Sequence, residues 1–244
     1  MIICTIALFI FSCKKDSVTP IEQQGVKLKK LDQGYLGYYT YTYGSDGLMS
    51  KVAYSGDSSG SNPSYAVTFE NYDSKGRLVQ FLYDYSAYPD VRGTNTYNSA
   101  GKLTRQDFVD VNTGAPVNYY TVDYSGITIT IKYYNGTILS FTYVYTMSGD
   151  GKNAQSYHST NAAGTQSRTT TFSSYDTKNN PYTLEPYGYN VFPVSANNYG
   201  HQVMVNDLTS TTLSDVTLTY EYNSDGYPVK RISPSGRVTT YEYQ

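Results

Sequence analysis

Tyr72-Asp73-Ser74-Lys75-Gly76-Arg77-Leu78 reads as a tight polar turn between two runs of alternating aromatic and Thr/Val residues. Its glycine stands four positions after its tyrosine. That spacing has a mechanism: a type I turn needs one residue at positive φ before the chain can re-enter antiparallel pairing, and glycine fills that place as a bulge. Asp73 and Ser74 ahead of it supply side-chain acceptors for the turn amides. The same figure recurs at Tyr43-Gly44-Ser45-Asp46-Gly47, Tyr97-Asn98-Ser99-Ala100-Gly101 and Tyr222-Asn223-Ser224-Asp225-Gly226. Ile232-Ser233-Pro234-Ser235-Gly236 is a fifth copy, and Tyr175-Asp176-Thr177-Lys178-Asn179 a sixth, with asparagine in the glycine's place. Gly47, Gly76, Gly101, Gly226 and Gly236 are therefore expected to be structural turn glycines.

The runs between these turns alternate as strands do. Phe141, Tyr143 and Tyr145 share one face, as do Tyr220 with Tyr222 and Tyr241 with Tyr243. Ser125-Gly126 and Asn135-Gly136 read as two-residue hairpins. The pattern predicts an all-β antiparallel meander of about 14–15 strands over residues 35–244. The stretch from Asp176 to Thr212 breaks the rhythm. It is rich in Asn, Pro and Gly, and is expected to hold a long connection with a short helical turn and one irregular strand.

Composition agrees with strands and narrows the chemistry. The chain has 30 tyrosines, 20 glycines and no tryptophan, and its formal net charge is -2. Lysines and arginines are scattered, which leaves no electrostatic footprint for nucleic acid. Both cysteines, Cys4 and Cys13, fall in the first thirteen residues, so the rest of the chain holds neither a disulfide nor a thiolate metal site. No cofactor motif is present, and no metal site is expected: His158 and His201 stand alone and read as surface or packing residues.

Residues 1–12 are expected to be a signal peptide. The apolar run Ile2 to Phe11 is too short to span a bilayer as a helix, and it ends at Ile10-Phe11-Ser12-Cys13. These four residues resemble a bacterial lipobox, which implies that Cys13 is lipidated and becomes the first residue of the mature chain; Phe11 departs from the usual small residue. Residues 13–34 then read as the lipidated cysteine and a polar tether. Asp16-Ser17-Val18 resembles the short O-glycosylation motif of Bacteroidetes and makes Ser17 a candidate glycan site.

The Tyr-Asp/Asn-x-x-Gly-Arg/Lys/Tyr-Leu/Pro signature resembles the YD repeats of Rhs and teneurin shells, with about six copies here against many there. A closer likeness covers most of the mature chain. Cys13-Lys14-Lys15-Asp16, the run Tyr175 to Pro181, Asn197-Asn198 and the run Tyr220 to Pro228 together resemble a Bacteroidetes lipoprotein family of unknown function with a porin-like fold. That resemblance implies a closed or nearly closed barrel on the outer membrane or cell envelope, and no activity. A barrel of this strand number has a wide lumen that must be water-filled, plugged or flattened.

Two functional classes remain. The first is a non-enzymatic envelope protein that binds or scaffolds, its partner a glycan or an envelope protein, with Tyr143, Tyr220, Tyr222, Tyr241 and Tyr243 as a candidate ligand platform. The alternative for those rings is the ordinary half-buried face of a tyrosine-rich sheet. The second class is a carbohydrate-active protein using two strand carboxylates, for which Glu221 and Glu242 are available. A membrane-embedded barrel is not expected. It needs an outward apolar band about 25 Å tall, and the positions facing away from the tyrosines are largely Thr, Ser, Asn, Lys and Asp.

Overall fold

In the computed structural model, residues 25–56 and 63–244 are described. The expected signal peptide, Cys13 and Ser17 lie outside them. The described chain forms one sheet of 17 strands. In order these are β1 Leu28–Asp32, β2 Tyr38–Tyr43, β3 Met49–Ser55, β4 Tyr65–Tyr72, β5 Leu78–Tyr85 and β6 Val91–Tyr97. Then follow β7 Leu103–Asp110, β8 Pro116–Ser125, β9 Thr128–Asn135, β10 Ile138–Met147, β11 Ala154–Asn161 and β12 Ser167–Tyr175. The last five are β13 Tyr199–Asn206, β14 Thr211–Thr217, β15 Thr219–Tyr222, β16 Pro228–Ile232 and β17 Val238–Tyr243.

Successive strands pair antiparallel, and β17 returns to pair with β1 through Leu28↔Tyr243. Lys27 and Gln244 exchange two backbone hydrogen bonds of 2.9 Å just beyond that seam. The meander is thus a porin-like, nearly closed barrel, and closure removes the two exposed edges it would otherwise carry. β14 and β15 are one run of chain that changes partner at Leu218, with β14 on β13 and β15 on β16. Counted as one stave, they leave an even number around the ring, as all-antiparallel closure requires.

Two expectations need correction. The barrel begins at β1, inside the 13–34 stretch read as tether. A bulge between Leu28 and Lys30 turns both Leu28 and Leu31 inward, and both are fully buried. Leucines three apart do not alternate, so no strand signal showed. The Tyr175–Asn179 copy does not make a hairpin. Asn180 precedes Pro181 and is held extended at φ -82°, ψ 124°, so the chain runs on instead of turning back.

The turns Gly44–Leu48, Asp73–Arg77, Asn98–Lys102 and Asn223–Tyr227 all lie at one rim; Gly236 sits at the other. Gly47, Gly76, Gly101, Gly226 and Gly236 have φ of +83°, +72°, +83°, +78° and +78°. At Gly76 the amide donates to Asp73 O, and the Asp73 amide to Arg77 O, both at 2.9 Å. Asp73 Oδ1 also accepts from the amides of Lys75 and Arg77, so the acid that opens the motif completes its turn.

The repeat's tyrosine has a different task. Tyr43 Oη donates to Leu28 O at 3.0 Å, Tyr72 to Met49 O at 2.6 Å and Tyr97 to Leu78 O at 2.6 Å. Tyr175 does the same to Ala154 O and Tyr243 to Pro228 O. Each acceptor opens the strand one hairpin back, so the hydroxyls stitch neighbouring repeats together around the rim. Tyr97→Phe is expected to lower the unfolding free energy by about 1 kcal/mol, since it removes the hydroxyl that Leu78 O and Tyr187 O share. Denaturant titration beside Tyr35→Phe, a change at an exposed ring, checks this; equal midpoints for the two variants would refute the stitch.

The wall has two unlike faces. Val52, Val67, Phe69, Phe81, Val122 and Ile131 point inward and are buried. Outward positions carry Thr and charged residues, with ion pairs such as Arg92–Glu70 at 2.9 Å between neighbouring hairpins. Inside, buried residues form two apolar groups, one on the β1–β5 side with Leu184 and one on the β7–β11 side with Val191. Leu184 and Val191 both belong to the connection between β12 and β13. The segment that broke the sequence rhythm ties the two halves of the core.

Candidate functional site in the plugged barrel

The connection 176–198 enters the barrel from the motif rim. Asn180 caps a short 3₁₀ turn, Pro181–Leu184, by accepting from the Tyr182 amide. Its companions hold the two ends of the segment together: the Asn198 amide and side chain donate to Asp176, and Asn198 Nδ2 also reaches Asn179 O. Tyr222 Oη donates to Asp176 as well.

Beyond Glu185 the segment is gripped by the wall. The Leu78 amide donates to Tyr187 O at 3.2 Å, and Tyr97 Oη donates to the same carbonyl at 3.1 Å. Buried Asn95 and Gln106 both donate to Gly188 O at 2.9 Å. The Leu103 amide donates to Tyr187 Oη. Tyr189 meets Phe69 and Phe81 edge-on, and Phe192 packs against Tyr120, Tyr143 and Tyr145. These contacts come from β4 to β10, more than a third of the ring. The connection is a plug.

Around it runs a belt of aromatic rings. Contacts pass from Tyr39 to Tyr54, Tyr65, Tyr83, Phe108, Tyr120 and Tyr133 with centroid separations of 4.8–6.3 Å. On the far side Tyr145, Tyr157, Phe172 and Tyr199 continue it. Tyrosine suits this position because its ring packs while its hydroxyl reaches a partner.

Glu185 is half-buried inside the barrel, beside Tyr41, Tyr182 and Tyr189. Tyr41 Oη donates to its Oε1 at 3.3 Å. Loss of hydration pushes the carboxyl up to about 7, against the smaller opposing effect of the Tyr41 bond. Among the described residues no second carboxylate contributes to that shift. Burial also pushes the hydroxyl pKa of Tyr41, Tyr182 and Tyr189 well above the ordinary tyrosine range, so these groups remain neutral donors.

The candidate platform residues are divided. Tyr143 touches Phe141 and Phe192 in the β7–β11 half, whereas Tyr241 and Tyr243 pack in the β1–β5 half. Tyr220 and Tyr222 stack on each other beside them. All five rings turn inward to plug or rim and form no shared exposed surface. Glu221 and Glu242, the strand carboxylates, stand on the outer wall with Lys230 and Lys29, so neither faces the lumen. His158 and His201 are outward too, against Asp207 and Asp215. Among the described residues no three His, Cys, Asp or Glu side chains gather to hold a metal ion.

Glu185, Asn95, Gln106 and Arg231 were not picked out from sequence. For Glu185 a signal existed: it is the only charged residue between Lys178 and His201 in a run full of tyrosine and proline. The inward polar residues carried none, because a barrel interior does not announce which strand positions meet a plug.

Fold and site together define an all-antiparallel, internally plugged β-barrel. Among solved structures the chain is similar to a porin-like protein from Bacteroides vulgatus ATCC 8482. The likeness has a TM-score of 0.57 at 14% identity and covers 89% of this chain and 99% of that one. A porin-like protein from Bacteroides uniformis ATCC 8492 superposes only loosely, with a TM-score of 0.42 at 14% identity over 90% and 95% of the two chains. The first likeness shows a porin-like fold. No protein-family model and no curated protein matches the sequence.

Proposed function

We propose that this protein is a non-enzymatic binding or scaffolding protein of the cell envelope, held to the outer membrane by lipid on Cys13. The observation that carries the reading is the polarity of the two barrel faces. The outer wall is built of threonines and ion pairs, where a membrane-embedded porin needs an apolar belt. The inner wall is filled by tyrosines and the 176–198 plug, where a porin keeps an aqueous channel. A barrel of this kind stands in water and needs a separate anchor. The resemblance of Ile10 to Cys13 to a lipobox supplies one, with residues 14–24 as tether. Its partner is a glycan or another envelope protein, met at the rims or in the unfilled part of the lumen.

The carbohydrate-active alternative is supported only as binding. Hydrolysis by an acid pair needs two carboxyls flanking one bond, roughly 5–9.5 Å apart. Among the described residues no second carboxyl accompanies Glu185, and Glu221 and Glu242 lie outside the barrel.

Cys13→Ala is expected to move the protein from the membrane fraction to the soluble fraction or to leave it unprocessed. The chain from Gly25 to Gln244 is expected to remain monomeric without detergent and to unfold cooperatively. Fractionation, intact mass and detergent-free gel filtration test both. An unchanged membrane fraction in the alanine variant, or a detergent requirement in the shorter chain, would overturn the reading.

A further inference from the structure

The change of partner at Leu218 leaves a gap in the ladder. Above it β14 pairs only with β13, and the Leu218 amide closes on Gly200 O at 2.7 Å; below it β15 joins β16. Between the inner face of β13–β14 and the β16–β17 hairpin lies a cleft of about 430 Å³. That is within the roughly 300–1,000 Å³ of small-molecule sites.

Arg231 forms part of its wall. Its side chain is half-buried beside Tyr182, Tyr199, Tyr220 and Tyr241, and its one hydrogen bond goes from Nη2 to Thr239 Oγ1 at 3.2 Å. Among the described residues no carboxylate pairs with it. Arg77, Arg92 and Arg105, by contrast, each hold a carboxylate at 2.5, 2.9 and 2.6 Å. A partly desolvated guanidinium without an anion is a costly arrangement, and an incoming carboxylate relieves it. Arg237, on the hairpin turn, adds a second cation to the cleft. The one acid there, Asp215, is engaged by His201 at 2.7 Å. Gln202, Ser214 and Ser233 bring amide and hydroxyl groups to the lining, which also includes Tyr199; the Ser233 hydroxyl sits 2.8 Å from that of Ser235.

We propose that this cleft binds a carboxylate-bearing sugar, with Arg231 holding the carboxylate through its planar fork and Gln202, Ser214 and Ser233 meeting the ring hydroxyls. A neutral sugar lacks the charge for Arg231. Acetate and inorganic phosphate bring charge without the hydroxyl-bearing ring that the rest of the cleft addresses.

Calorimetric titration of the intact chain with D-glucuronate, D-glucose, acetate and inorganic phosphate tests this. Glucuronate is expected to bind, with the other three at least about tenfold weaker. Arg231→Gln should weaken glucuronate about tenfold or more without lowering the melting temperature, because the variant removes an unpaired cation. Arg237→Gln, at the exposed turn, should weaken it about threefold and does not threaten the fold. No glucuronate binding, glucose or phosphate binding equally well, or unchanged affinity in both variants would each overturn the proposal. None of these outcomes bears on the lipid anchor, which fractionation tests separately.

Discussion

Gly188→Val is expected to drive the plug from the barrel and lower the unfolding free energy by about 3 kcal/mol or more. Gly188 lies at φ +96°, a conformation that a β-branched residue avoids. A Cβ there would overlap the Tyr97 hydroxyl and the Asn95 amide, both fixed by other bonds. Any shift that relieves the overlap also pulls Gly188 O away from Asn95 and Gln106, two buried amides that each then lose one of their acceptors. Gly164→Val is the control: its φ of +68° is equally unsuited to valine, but nothing lies within 4 Å of the added Cβ. That variant should lose only about 1–2 kcal/mol. Denaturant titration gives both values. Binding of a hydrophobic dye by the Gly188 variant under native conditions would report exposure of the tyrosine belt. A loss no greater than the control's, with no dye bound, would show that the connection does not plug the lumen.

Glu185→Gln is expected to stabilise the protein at alkaline pH and leave it nearly unchanged at pH 4. The folded carboxyl titrates at about 7 against an ordinary value of 4.5. The folded state therefore holds this proton more tightly than the unfolded state does. Its contribution is fully present below about 4.5, shrinks as the pH rises and is gone once the pH has passed about 7. The difference corresponds to about 3 kcal/mol at most. Glutamine keeps an oxygen for the Tyr41 hydroxyl and has no proton to lose. The stability gap between variant and parent should then open between pH 4.5 and 7 and stay constant to pH 8. Unfolding titrations at pH 4, 6 and 8 measure it; parallel curves would mean that Glu185 is hydrated and ordinary in the folded barrel.

The turns were legible because their physics is local. The Tyr72-to-Leu78 motif contains every group its turn uses: the acid that accepts the amides, the glycine that takes positive φ and the strand residues on either side. The leucine or methionine two places after the glycine faces the core for the same reason, as Leu78, Met49 and Leu103 do. What each motif tyrosine bonds to was not legible. Tyr97 reaches Leu78, 19 residues earlier, across a hairpin whose register only pairing establishes. β1 was missed because its bulge breaks the alternation on which strand recognition depends.

The candidate site divides along the same line. The stretch from Asp176 to Thr212 stood out as a long connection rich in Asn, Pro and Gly, and Asn180-Pro181 accounts locally for its refusal to turn back as a hairpin. Whether such a segment crosses a rim or enters the lumen depends on the space the wall leaves. That space is set by strand number, by closure of β17 on β1 and by the inward rings of more than a dozen strands at once. The same holds for charge. Glu185 and Glu221 are alike in sequence terms, each beside a tyrosine or proline in a polar run, yet one is half-buried among tyrosines and the other stands outside with Lys230. The sequence by itself determined the hairpins, the alternation of faces and the exclusion of thiolate and paired-histidine chemistry. Only the tertiary structure decided which face is inside, what fills it and which charges lose their water, because burial is a property of the closed wall and not of any one strand.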